Sequence, residues 1–230
     1  MKYIGLIGGV SPEATQIYYR HLNAHAREKL GGQHSAAVTF QMLDYGEMIG
    51  HYAEENWVGF KEQVVTAAQV LKAAGVDALA ITSGTTHMGA AAAAEATGLP
   101  VIHMLDSLAS AMKARGVKKP LLLGTAFTMS GDFFRPALLE RYDGNPLTPA
   151  EVDQALVERI IRDELVEGLV DSGSKAAMID LVNRYAAEGC DGVILGCTEL
   201  CMILEQADCD VEVLNVTAIH AAAIADVMFG

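Results

Sequence analysis

The chain has 230 residues, 51% of them hydrophobic and 20% charged, enough to bury a full core and too apolar for a disordered polypeptide. Its formal net charge of −13 leaves no basic stripe with which to release counterions from nucleic-acid phosphates. The longest apolar run, around Met88 to Ala94, is alanine-rich and far short of a bilayer span, and MKYIGLIGG enters a strand directly with no leader pattern, so a cytoplasmic location is expected.

Taken in order, short apolar runs alternate with helix-period segments. Strands are expected at Tyr3–Ile7, Ala36–Met42, Ala78–Thr82, Val101–Met104, Pro120–Leu123, Val193–Leu195 and Val211–Leu214. Helices such as Pro12–Leu30, Trp57–Ala74 and Asp153–Val170 lie between them. This βαβ rhythm predicts an α/β protein with parallel sheets covered by helices on both faces and ligands beyond the carboxyl ends of the strands.

The chain also repeats itself. AGVDALAITS (Ala74–Ser83) matches EGCDGVILGC (Glu188–Cys197) without a gap, so that Gly75 falls on Gly189, Asp77 on Asp191 and Ser83 on Cys197. A second echo pairs IGLIGGVS (Ile4–Ser11) with PLLLGTAF (Pro120–Phe127) at nearly the same offset. Two echoes in the same order predict two similar doubly wound domains related by a pseudo-twofold axis, with half-sites facing across a cleft. The expected division is 1–100 plus 211–230 for the first domain and 101–210 for the second.

Several segments carry chemistry. GCTEL (Gly196–Leu200) sets Cys197 at the end of a buried strand and the start of a helical turn, where the turn's amides are expected to lower the thiol pKa; a buried, inert thiol is the other reading. Cys190, Cys201 and Cys209 lack that placement and read as structural. Cys197 and Cys201 have i, i+4 spacing, but no second pair of cysteines or histidines completes a zinc site, and the absence of an export signal argues against a disulfide framework. LIGGVSPEAT (Leu6–Thr15) is a strand, a glycine turn and a helix start whose amides suit an anion; without GxGxxG or a following GK[ST], it does not read as a nucleotide site. His87 lies one helical turn from Ser83, a conceivable nucleophile pair, yet the run ITSGTTH is not the GxSxG elbow of serine hydrolases.

Across essentially its whole length the sequence resembles the aspartate/glutamate racemases that work without pyridoxal phosphate, and is most similar to the L-aspartate/glutamate branch. The resemblance rests on IGLIGGVSPEAT, LGGQHSA, SGTTH, LLGTAFTM, GCTEL and NVTAIHA. It implies two α/β domains that each contribute a thiol to an interdomain cleft, a free amino acid or related carboxylate as substrate, no cofactor or metal, and a homodimer. It assigns Cys197 as acid/base for one face of Cα and the Ser83 position for the other. This chain departs from the pattern there, with serine for the usual cysteine and Gly84 for the usual asparagine. By the same resemblance Val10, Ser11, Tyr52, Gly84, Thr85, Thr86, Thr128 and Thr198 line the substrate site. His51 stands beside Tyr52, Thr125 beside Thr128, and Lys175 is the cation for a distal carboxylate or, equally, an exposed helix-start lysine. Three activities stay open: racemase, a one-cysteine decarboxylase of the same fold, and a binding protein that has lost half of its acid/base pair.

Overall fold

The computed structural model describes residues 1–230 apart from Asp132. The elements run β1 (Ile4–Gly8), α1 (Pro12–Leu30), β2 (Val38–Met42), α2 (Tyr45–Ala53), α3 (Trp57–Ala73), β3 (Ala78–Ile81), α4 (Ala90–Thr97), β4 (Val101–Ile102) and α5 (Met104–Arg115). They continue with β5 (Pro120–Leu123), α6 (Ala126–Ser130), α7 (Phe134–Leu139), α8 (Glu151–Asp163), α9 (Ser172–Ala187), β6 (Gly192–Leu195), β7 (Glu212–Asn215) and α10 (Val216–Phe229). Each of the seven expected strands is present, with ends shifted by up to two residues. The expected helix Asp153–Val170 is instead Glu151–Asp163 followed by a short 3₁₀ turn, Leu165–Glu167, because the chain leaves helical geometry at Glu164 (φ −126°, ψ −65°).

The chain forms two compact units, Met1–Met104 with His220–Gly230, and Leu105–Ile219. The sequence boundary at 210/211 precedes β7, whereas the units divide after it, because β7 hydrogen-bonds β6 in parallel, with Gly192 opposite Glu212. The first unit is a parallel sheet in the order β2-β1-β3-β4, the second a parallel sheet in the order β5-β6-β7.

Strand periodicity builds the layers of the first unit. Ile7, Leu79 and Ile81 point to one face and pack with Phe60, Val64 and Leu71 of α3 and Ala93 of α4. Ile4, Leu6, Ala78 and Ala80 point to the other, with Tyr18 and Leu22 of α1 and Ala221, Ile224 and Met228 of α10. Burial on both faces is what a parallel strand requires, and it explains why β3 reads ALAI with no polar residue. In the second unit Leu121, Leu123, Val193 and Leu195 pack against Val157, Ile160 and Ile161 of α8 and Met178, Leu181 and Val182 of α9.

The two repeats are the same strand pair built twice. β1 pairs β3 with Ile4 opposite Ala78, and β5 pairs β6 with Pro120 opposite Gly192, the registers that the two echoes equate. At the foot of each pair the repeated aspartate binds the neighbouring strand. Asp77 Oδ2 accepts from the Tyr3 amide at 2.7 Å, and Asp191 accepts from the amides of Lys118 and Lys119, each at 2.7 Å. The glycines that open these turns, Gly75 (φ 81°) and Gly189 (φ 94°), lie in the left-handed region, where a side chain is disfavoured. At the other end, a Cβ on Gly8 would meet Thr15 Cγ2 at 2.7 Å and one on Gly124 would meet Thr128 Cγ2 at 2.8 Å, so glycine closes β1 and directly follows β5 because a threonine lies against each. Replacing Asp191 by alanine removes two carboxylate-accepted hydrogen bonds and is expected to destabilise the protein by about 2 kcal/mol, read as a lower urea midpoint. An unchanged midpoint would rule out the clamp.

Candidate functional site

Ser83 and Cys197 each stand two residues beyond the end of their strand. The residue before each makes the same backbone bond in its unit: Thr82 N–H to the Ile7 carbonyl (3.0 Å) and Gly196 N–H to the Leu123 carbonyl (2.7 Å). Register at the foot of the strand pair therefore fixes both positions at the carboxyl end of their sheets, where α/β proteins hold ligands.

In the first unit Ser11 caps α1, its Oγ accepting from the Ala14 amide at 3.2 Å, with Pro12 at the first helical position. Thr15 ties the loop together: its Oγ1 accepts from the Gly9 amide (3.0 Å), donates to the Ser11 carbonyl (3.1 Å) and lies 3.2 Å from Thr82 Oγ1. Thr15 and Thr82 are residues that motif reasoning missed; both are buried and polar, a signal visible only once burial is known. Val10 packs on the α3 face. After β3, Ser83, Gly84 and Thr85 are half-buried and lead into the 3₁₀ turn Thr85–Gly89. Thr86 is buried, and its Oγ1 has no hydrogen-bond partner among the described residues. Tyr52, in α2, makes an edge contact with Trp57 at 5.8 Å, and His51 Nδ1 lies 3.1 Å from Asn56 Nδ2.

His87 is buried and bonded at both ring nitrogens. Nε2 accepts from the Met104 amide at 3.1 Å, so the proton of the neutral ring sits on Nδ1, which donates to the Ser83 carbonyl at 2.8 Å. The conceived serine–histidine pair is thus a histidine bound to the serine's backbone. The ring lies 4.6 Å from that of His103 and 5.5 Å from that of His220. His220 Nδ1 accepts from the Tyr18 hydroxyl and Nε2–H donates to the Ile102 carbonyl, both at 2.8 Å.

In the second unit Cys197 precedes the 3₁₀ turn Thr198–Met202. Its Sγ donates to Oε2 of the buried Glu199 at 3.0 Å, and Thr198 Oγ1 donates to the same oxygen at 2.8 Å. The expected lowering of the thiol pKa is not found. Desolvation pushes the Cys197 thiol well above its ordinary value, and the charge of Glu199 with the hydrogen bond to it pushes the same way, so the group is a protonated thiol at neutral pH. One 3₁₀ turn does not offset a carboxylate at hydrogen-bond distance. Glu199, two residues from the cysteine, is the functional group that sequence reasoning missed; the E of GCTEL was its visible trace. Thr125 caps α6, accepting from the Thr128 amide at 3.4 Å, and the Ala126 amide donates to Glu158 at 2.6 Å. The charge of Glu158 adds to that of Glu199 in raising the Cys197 pKa. Lys175, in the first turn of α9, pairs with Asp208 at 2.9 Å, and the hydrogen bond raises its pKa; its ammonium is committed to that carboxylate.

Among the described residues no group of three or more His, Cys, Asp or Glu is arranged to hold a metal ion, and no helix is long and apolar enough to cross a membrane.

Two pH-linked outcomes follow. Burial lowers the His220 pKa to about 4, below its ordinary 6.5, so the unfolded chain takes up the proton first. The stabilisation from neutral His220 is full above pH 6.5 and declines as pH falls towards 4, by roughly 3 kcal/mol in all. Urea midpoints of the native protein should show that slope, and a His220→Gln variant should be flatter over the same window. For Cys197, Glu199→Gln should shift the pH profile of iodoacetamide alkylation, localised by fragment mass spectrometry, towards lower pH. A profile that stays in place would mean Glu199 does not hold the thiol protonated.

Comparison with known proteins places these units. The family model described as Asp/Glu/hydantoin racemase matches residues 7–224. A crystal structure of a candidate Asp/Glu racemase from Yersinia pestis is 37% identical, with a TM-score of 0.94 and all of both chains covered. An aspartate racemase homologue from Pyrococcus horikoshii OT3 is 32% identical, with a TM-score of 0.91 and again full coverage of both chains. An aspartate racemase from Picrophilus torridus, at 23% identity and a TM-score of 0.71, covers 98% of this chain and 94% of its own, a likeness of fold.

Proposed function

Because the chain belongs to the Asp/Glu/hydantoin racemase family, we propose that it is a racemase of free amino acids of the aspartate/glutamate type, working without a cofactor, with Cys197 serving one face of Cα and the Ser83 position the other. The observation that carries the reading is the thiol of Cys197 held protonated against Glu199 at 3.0 Å, at the end of a buried strand.

The chemistry sets the requirements. The α-proton of an amino acid is very weakly acidic, so its removal needs a base on one face, an acid on the other and donors for the carboxylate as it gains enolate character. In the direction in which the α-proton passes to the Ser83 oxygen, whose own proton must first leave to solvent, Cys197 as found is the acid. In the reverse direction it becomes a base by passing its proton to Glu199, which already accepts its hydrogen bond, and Thr198 holds that carboxylate in place. The carboxylate donors are Thr85 and Thr86 with the backbone of the Ser83–Thr85 turn; Thr86 brings a buried hydroxyl with no partner among the described residues. Ser11, Val10, Tyr52 and Thr128 complete the substrate positions on the family pattern. The ion pair between Lys175 and Asp208 must open if Lys175 is to bind a distal carboxylate.

The two faces are unequal. A serine hydroxyl is a far weaker acid than a thiol, and His87 does not activate it, having both nitrogens on backbone groups. The proposed enzyme is therefore slow or directionally biased. The same observation favours a second reading, a decarboxylase of this fold in which Cys197 alone protonates an enediolate.

Incubation in D2O with the enantiomers of aspartate and glutamate, and separately with an arylmalonate, distinguishes them. Deuterium entry at Cα with inversion is expected, Cys197→Ala should abolish it, and Ser83→Cys should make the two directions faster and more equal. Carbon dioxide release from the malonate without amino-acid exchange would move the assignment to the decarboxylase, and full activity of Cys197→Ala would defeat both.

A further inference from the structure

The first unit contains a buried histidine that the proposed reaction does not use as acid or base. His87 is bonded on one side to the carbonyl of Ser83 and on the other to the amide of Met104, 17 residues away, and its ring lies tilted against His103 and edge-on to His220. We propose that His87 is a positioning residue for Ser83, acting through its Nδ1–H bond to the Ser83 carbonyl; this rests on the racemase reading of the site.

The matching turn of the second unit shows why the imidazole is there. The repeat that sets Ser83 on Cys197 sets His87 on Cys201, whose Sγ donates to the Thr198 carbonyl at 3.1 Å. Repeat-equivalent side chains thus bond a carbonyl near the start of each 3₁₀ turn, His87 that of Ser83 and Cys201 that of Thr198, one position further on in the repeat. The cysteine does so with a weak donor and a flexible reach. The imidazole does so with a rigid ring whose opposite nitrogen is fixed by a second backbone group, so the donor cannot rotate away. That rigidity falls on the unit with the weaker acid. Ser83 is followed by Gly84, which has no side chain to hold the turn and is conformationally permissive. Fixing the Ser83 carbonyl fixes the peptide plane between Ser83 and Gly84, and with it the direction of the Gly84 amide and the backbone from which the Ser83 side chain projects. A hydroxyl that must exchange a proton with Cα tolerates little misplacement.

The two hydrogen bonds of His87 can be removed one at a time. In His87→Asn, Nδ2 takes the place of the ring Nδ1 and keeps a donor for the Ser83 carbonyl while the acceptor for Met104 is lost. In His87→Gln, Oε1 takes the place of Nε2 and keeps the acceptor while the donor to Ser83 is lost. α-Proton exchange in D2O is measured separately from the L and D enantiomers of aspartate and glutamate, and Ser83→Ala identifies the enantiomer served by the Ser83 face. His87→Gln should lower kcat for that enantiomer on the order of tenfold or more, with KM and exchange of the other enantiomer little changed, and His87→Asn should retain most of it. Equal loss in both variants, or equal loss for both enantiomers, overturns the inference. No exchange in the unmodified protein overturns the racemase reading and this inference with it, whereas exchange left intact in both variants overturns the inference alone. Independently of how the variants fold, nitrogen NMR of the native protein should show His87 as the Nδ1–H tautomer; an Nε2–H tautomer overturns the assignment.

Discussion

A carboxylate at the foot of a strand pair governs the rest of each unit. Asp77 and Asp191 take up the first amides of the neighbouring strand, and the glycines two residues before them turn the chain into position. With the foot fixed, a parallel ladder of four or five residues has one register, since a slip of one residue would turn every buried side chain to the opposite face. The carbonyls of Ile7 and Leu123 then receive the amides of Thr82 and Gly196, and the next residue in each chain is the proposed acid/base position. The proposed acid/base positions are thus located by bonds formed six residues, or about 20 Å, away along the strand, given the rise per strand residue.

That plan was legible in the sequence because it is written in residue types with strong local meaning. Glycine after a helix, aspartate two residues on and a run of apolar residues admit few conformations, and their repetition marked two copies of one strand pair. The duplication could be inferred because two echoes, Ala74–Ser83 with Glu188–Cys197 and Ile4–Ser11 with Pro120–Phe127, run in the same order; neither alone would carry it. The acid/base chemistry was less legible. Cys197 was visible, but the direction of its pKa depended on where the Glu199 side chain points, and a two-residue spacing in a 3₁₀ turn does not determine that. His87 was visible one turn from Ser83, but its tautomer depended on the Met104 amide, brought by β4 and the start of α5. Lys175 read equally as ligand or helix-start lysine, and Asp208, which holds it, lies 33 positions further along the chain.

The two units differ where their chemistry differs. Cys197 keeps company with two carboxylates, which hold a proton on sulfur. Ser83 instead has His87 bonded to its carbonyl, and the lone pair of that ring is taken up by the Met104 amide. In the proposed racemase, unequal groups would give the two directions different kcat and KM while leaving the equilibrium between enantiomers untouched, and the asymmetry lies in two turns while the strand pairs that carry them share one register.

The interrupted course of the first unit bears on how the protein is made. Its core includes Ala221, Ile224, Ala225 and Met228, which pack with β1 strand residues Ile4 and Leu6, and of the clustered His87, His103 and His220 the last follows the second unit in the chain. On a ribosome the second unit, continuous from Leu105 to Ile219, has all of its strands before the first unit has its last helix. Ile4 and Leu6 therefore wait for the whole second unit to be made before their face of the sheet, which α1 covers in part, receives α10. The cluster of His87, His103 and His220 is likewise completed only then, so the turn bearing Ser83 acquires that part of its surroundings after the second unit has been made.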